Sequence, residues 1–107
     1  ILARAQGPGP GEAVAWRPEI VAFANLMEAK LRANDHKGGW RNDRAADLHS
    51  RLLEEAEELF DALNWRSAFL GAADPERIGS EAADVANFAM MIADVCGALD
   101  ATPTREV

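Results

Sequence analysis

The residues of this chain best suited to chemistry are carboxylates, and their spacing sets two pairs apart from the rest. In Leu52-Leu53-Glu54-Glu55-Ala56-Glu57-Glu58-Leu59, and again in Glu81-Ala82-Ala83-Asp84-Val85, two acids stand three residues apart within segments that otherwise carry apolar residues at helical spacing. At about 100° per residue, Leu48, Leu52, Leu59 and Ala62 share one direction to within about 40°, and Glu55 falls among them. Glu58 lies on the edge of that stripe, whereas Glu54 and Glu57 point away from it, into solvent. In the second segment Phe88, Met91, Ile92, Val95 and Leu99 define the stripe, and both Glu81 and Asp84 lie within about 40° of its centre. An ionised carboxylate is costly to bury without a partner, and several facing one another should have raised folded-state pKa values. Few positive residues share these faces. A divalent cation held by Glu55, Glu58, Glu81 and Asp84 is therefore the simplest compensation, and an all-oxygen donor set suits magnesium or manganese.

Three helices must position these acids. Residues 1–15, centred on Gly7-Pro8-Gly9-Pro10-Gly11, read as a flexible arm. Pro18 fits the first turn of a helix, where its missing N–H has no intrahelical partner, and Ile20, Phe23, Ala24, Met27 and Leu31 continue it to about Ala33. The connection after it, Asn34 to Asn42, places Lys37, Trp40, Arg41 and His36 around Gly38-Gly39. That composition fits a loop that approaches phosphates or a base closely; for Trp40 it fits equally a side chain that plugs the core. Asp43 suits the N-cap of a second helix running to Asn64 or Trp65, with Ser67 to Ala73 as the turn. Asp74-Pro75 then announces a third helix, which Gly79-Ser80 would interrupt early and which ends near Ala98. Residues 100–107 form a tail. The second and third helices should form an antiparallel hairpin, with the first helix beside it, in a single all-α domain over residues 16–99. Three helices leave apolar surface uncovered, so a homodimer completing a four-helix-bundle core, or a dimer-of-dimers tetramer, is expected.

Composition narrows the partners. Eleven basic and 18 acidic residues give a net charge of −7, which argues against a nucleic acid polymer, whose affinity comes from clustered Lys and Arg. A small phosphorylated substrate is compatible with that charge, because metal ions can carry the phosphate. The single cysteine, Cys96, cannot form an internal disulfide and points to a cytoplasmic setting; no apolar run of about 18 residues marks a membrane span. His36 and His49 have no second ligand at metal spacing. A di-iron carboxylate bundle is excluded, since no Glu has a His three residues later.

With these residues in view, the chain resembles the all-α nucleoside triphosphate pyrophosphohydrolases, the superfamily of MazG-like proteins and dCTP pyrophosphatases. Glu54-Glu55-Ala56-Glu57-Glu58-Leu59 resembles the family's E-E-x-x-E-L element, Glu81-Ala82-Ala83-Asp84 its E-x-x-D element, and Lys37-Gly38-Gly39-Trp40 a segment preceding the acidic helix. The resemblance implies that Glu55, Glu58, Glu81 and Asp84 hold magnesium. It also implies hydrolysis of a nucleoside triphosphate to the monophosphate and pyrophosphate, in the service of nucleotide-pool house-cleaning. By the same resemblance Trp65 and Phe88 match aromatic base contacts, and Asn87 and Lys37 are polar contacts to sugar or phosphate. Glu55 and Glu58 are the first candidates for accepting the proton of the attacking water. Two other readings stand beside this one: a phosphoribosyl-ATP type pyrophosphohydrolase, and a non-catalytic helical dimerisation module whose acids form a salt-bridge seam.

Overall fold

Pro18 opens the first helix as its type requires, with the Arg17 carbonyl accepting from the Ile20 and Val21 N–H groups at 3.0 and 3.1 Å. The structure, a computed structural model, describes residues 15–70 and 74–99, the side chains of residues 65–70 excepted. Among the described residues it is all-α: helices α1 (Pro18–Ala33), α2 (Ala45–Leu70) and α3 (Pro75–Val95), a 3₁₀ turn at Asp35–Lys37, and no strand. The expected N-terminal arm apart from Ala15, the C-terminal tail and residues 71–73 of the expected turn lie outside the described residues.

Helix α1 closes with Lys30 and Arg32 in its last turn, where positive charge suits the C-terminal end of the helix dipole. The Asn34 side chain donates to the Lys30 carbonyl at 3.0 Å, and Gly38, at φ +90°, ends the 3₁₀ turn in a conformation that favours glycine.

The start of α2 differs from expectation. The Asp43 N–H donates to the Trp40 carbonyl at 2.9 Å, so the chain is still turning there; the first helical bond goes to the Arg44 carbonyl from Leu48, and the helix starts at Ala45. Its end differs too. Asn64, read as a stop, donates its amide to the Phe60 carbonyl one turn back at 2.9 Å and leaves the helix intact. With no Gly or Pro between Arg41 and Leu70, nothing breaks the helix before Leu70, so the first four residues of the expected turn are helical.

Asp74 caps α3 as expected, its side chain accepting from the Arg77 N–H at 3.3 Å, with Pro75 in the first turn. Gly79-Ser80 does not interrupt it. Gly79 instead lets α1 come close: a Cβ built there would stand 3.3 Å from Leu26 Cδ2. Helix α3 stops at Val95, short of Ala98, because Gly97 takes a left-handed φ of +75°. The Ala98 N–H then bonds the Ala93 carbonyl at 2.8 Å and the Gly97 N–H the Asp94 carbonyl at 3.0 Å, the two bonds of a Schellman cap.

Helix α3 is the central element, packed against α2 on one side and α1 on the other. Glu55 of α2 meets Glu81 and Asp84 of α3, while Arg51, one turn earlier, lies over Phe88, one turn later. The order of partners is reversed along the two helices, so they run antiparallel. Leu48 and Ala62 on α2 and Ala83 on α3 are buried, and Leu52, Leu59, Phe88, Met91 and Ile92 are half-buried, as the two stripes require. Leu99, beyond the end of α3, is exposed. No helix among the described residues is long and apolar enough to cross a membrane.

Candidate metal and phosphate site

Glu55, Glu81 and Asp84 each bring a carboxylate oxygen to within 4.8 Å of the others, and all three are half-buried. Their convergence comes from register: Glu81 and Asp84 are one turn apart on α3, and Glu55 faces them from the opposing stripe of α2. Glu58, placed by the sequence on the stripe's edge, is exposed and stands outside this group among the described residues. It is still close enough to act on it. Burial pushes the Glu55 carboxyl above its usual range, and the negative fields of Asp84, Glu81 and Glu58 add to that, with Arg51 opposing. Glu54 and Glu57 are exposed, as their angular positions predict.

The protein supplies more positive charge here than the sequence shows. Lys30, reaching across from α1, donates to Ser80 Oγ at 2.7 Å and lies 3.3 Å from Asp84 Oδ2. Arg77 sits 3.9 Å from Glu81, one helical turn away. Only the three-helix packing brings Lys30 to this spot, because it is more than fifty positions away from Asp84 in sequence.

Beside the acids lies a cleft of about 490 Å³ between α1, the loop before α2, and the α2–α3 pair; Glu55 and Asp84 line it, and so do Lys30, Lys37 and Arg51. Gly38, Gly39, Trp40, Asn87 and Phe88 complete much of its wall. Four of the five side chains expected to contact a substrate, Lys37, Trp40, Asn87 and Phe88, thus gather in one cavity. The fifth, Trp65, lies outside the described side chains.

The individual geometries refine those roles. Trp40 is half-buried and its indole N–H donates to Asp94 Oδ2 at 2.9 Å, so it both lines the cleft and is tied to α3. Arg41 approaches the same oxygen at 3.9 Å and lies 5.9 Å from the Trp40 ring centre. Arg51 sits 4.8 Å over the Phe88 ring, and Phe88 is half-buried where it lines the cleft. Asn87 is buried and donates its amide N–H to the Met27 carbonyl at 3.1 Å; since a carbonyl can only accept, this fixes the orientation and leaves Oδ1 as the acceptor without a protein partner. Sequence reasoning missed Lys30, Arg51 and Asp94. Arg51 carried a usable signal, one turn before Glu55 on the same helix; Lys30 and Asp94 act across elements and carried none.

The chain was compared with protein-family models, curated proteins and solved structures, and none of them matches it.

Proposed function

We propose that this protein is a magnesium-dependent nucleoside triphosphate pyrophosphohydrolase, releasing a nucleoside monophosphate and pyrophosphate in a cytoplasmic house-cleaning role. The observation that carries the reading is the placement of three converging carboxylates at the edge of a cleft also lined by three cationic side chains and two aromatic rings. Three carboxylate oxygens with no nitrogen or sulfur donor fit magnesium, or manganese, with water completing the shell. Bound there, the ion would neutralise charge on the phosphoryl oxygens.

The remaining steps belong to the chain. Lys37, from the loop before α2, and Arg51, one turn before Glu55 on α2, bind phosphate oxygens in the cleft. Trp40 and Phe88, both lining the cleft, offer aromatic walls for a base. Glu55 and Glu58 are the candidates to accept a proton from attacking water, and Glu58 stands outside the three converging carboxylates, where a cation held by them would leave it unsaturated. The buried Asn87, tied by its amide to the Met27 carbonyl, stiffens the wall of the cleft between α1 and α3. Exposed Ile20, Val21 and Phe23 on α1, with Leu53, Phe60 and Leu63 on α2, leave apolar faces that a homodimer or tetramer would cover.

One observation favours a second reading. The pairing of Lys30 with Asp84 and of Arg77 with Glu81 is what a non-catalytic salt-bridge seam would display. A panel of nucleoside triphosphates, with phosphoribosyl-ATP included, assayed for pyrophosphate release with magnesium separates the two. Pyrophosphate release that is lost in Glu55→Gln and kept in Glu57→Gln supports the enzyme; orthophosphate release, or no turnover of any substrate, overturns it.

A further inference from the structure

We infer that Lys30 and a divalent cation compete for Asp84, and that the ammonium group released by the cation turns to a phosphoryl oxygen in the same cleft. The inference rests on the pyrophosphohydrolase reading and gives a specific step to Lys30, which that reading counts only among the cations lining the cleft. Lys30 Nζ lies 3.3 Å from Asp84 Oδ2, and Asp84 is one of the three residues whose oxygens converge with those of Glu55 and Glu81. An ammonium group and a metal ion cannot both hold that carboxylate at close range without strong like-charge repulsion. A doubly charged ion with three carboxylates around it outcompetes a single ammonium for the shared oxygen.

The displaced group has somewhere to go. The Lys30 side chain is partly exposed and lines the cleft, and its four-carbon stem carries three donors that reorient by rotation alone. Ser80 Oγ, 2.7 Å from Nζ, is a neutral anchor that holds the group on the Asp84 side. Phosphoryl oxygens drawn to the metal would enter the cleft that Lys30 already borders, where charge-assisted hydrogen bonds to them are among the stronger available. Metal uptake then prepares the phosphate site, because the cation that fills the carboxylates frees the ammonium for the substrate.

The competition predicts effects of opposite sign from one residue. Titration calorimetry of the full chain with magnesium or manganese alone, and then with pyrophosphate at saturating magnesium, reads both. Lys30→Met should bind the metal more tightly, on the order of tenfold, because Asp84 is no longer engaged. It should bind pyrophosphate at least about tenfold more weakly, having lost a charged donor. Ser80→Ala keeps every charge and removes only the anchor. It should gain about threefold in metal affinity, the weight of one side-chain hydrogen bond, and lose none for pyrophosphate. Far-ultraviolet circular dichroism establishes that each variant keeps its helices. Unchanged or weaker metal binding in Lys30→Met overturns the exchange. So does a Ser80→Ala variant indistinguishable from the parent, since that would leave only a distant charge effect. If the parent chain takes up neither cation, the proposed function falls as well; if it binds them and Lys30→Met does not differ, only the exchange falls.

Discussion

The indole N–H of Trp40 donates to Asp94 Oδ2 at 2.9 Å, joining the loop before α2 to the last turn of α3 across 54 positions of sequence. Asp94 is buried, and the Arg41 guanidinium approaches the same oxygen. Trp40→Phe keeps an aromatic ring and removes the donor. It should destabilise the protein by about 2 kcal/mol in urea unfolding, as expected for a hydrogen bond to a charged group. The same change should raise KM more than it lowers kcat, because the ring that walls the cleft loses its anchor. Asp94→Asn, which still offers an acceptor, should be milder than Asp94→Ala; equal losses in the two would assign the effect to the carboxylate's charge and not to the indole bond.

The raised Glu55 carboxyl sets a pH dependence with a definite sign. Its folded-state value lies above the ordinary value of 4.5, so the folded chain binds this proton more readily than the unfolded one. The Glu55 contribution to stability in chelator is therefore fully present below about pH 4.5 and is lost as pH rises from there through the folded value. Magnesium, if these residues hold it as proposed, binds only the ionised carboxylates and reverses the trend. At ten times its dissociation constant it should add about 1.4 kcal/mol, large enough to raise Tm by several degrees near pH 8 and negligible near pH 4. Thermal melts with magnesium against chelator at both pH values decide this. An equal shift at both, or none at either, would remove the metal from the account.

Gly79 offers a test of packing independent of the site. In the interior of α3 an alanine is better than glycine by about 1 kcal/mol in helix propensity. The added Cβ would meet only the end of the flexible Leu26 side chain, at 3.3 Å. Leu26 is half-buried and can give by the few tenths of an ångström required, so Gly79→Ala should be stabilising by roughly 0.5 kcal/mol. Gly79→Leu should be destabilising, because its bulk would drive α1 from α3. A destabilised alanine variant would mean that the α1–α3 contact is too rigid to adjust.

Leu53, Phe60 and Leu63 are each at least half exposed and recur at helical spacing along α2. If they form a subunit interface, Phe60→Glu should shift the protein to monomer in sedimentation velocity without loss of helical content. An unchanged sedimentation coefficient would clear α2 of that role and leave the apolar face of α1 as the next candidate.

Much of this arrangement was legible in the sequence because it depends on periodicity. The placement of Glu55, Glu81 and Asp84 among leucines and phenylalanines comes from angle alone, and so does the exposure of Glu54 and Glu57. The boundaries were harder, since each is decided by a competition the letters do not show. Asn64 could have ended α2 or bonded back to Phe60; Gly79 could have broken α3 or made room for Leu26. Both took the second course because packing and continuous backbone bonding outweigh a local preference. Lys30 was illegible for a different reason: nothing on α1 announces which face of α3 it will meet, so the cation nearest Asp84 became visible only once the helices were packed.

The Schellman cap at Gly97 has a consequence beyond ending a helix. Asp94 gives its backbone carbonyl to that cap and its side chain to Trp40, so one residue closes α3 and holds a wall of the cleft. Fraying of that last turn would release the wall with it, and the dynamics of a helix terminus become the dynamics of the cavity mouth. Helix ends open at low free energy compared with the core, on timescales that amide hydrogen exchange resolves. The exchange rate of the Gly97 and Ala98 amides, which donate the two cap bonds, then reports how often the turn that carries Asp94 opens.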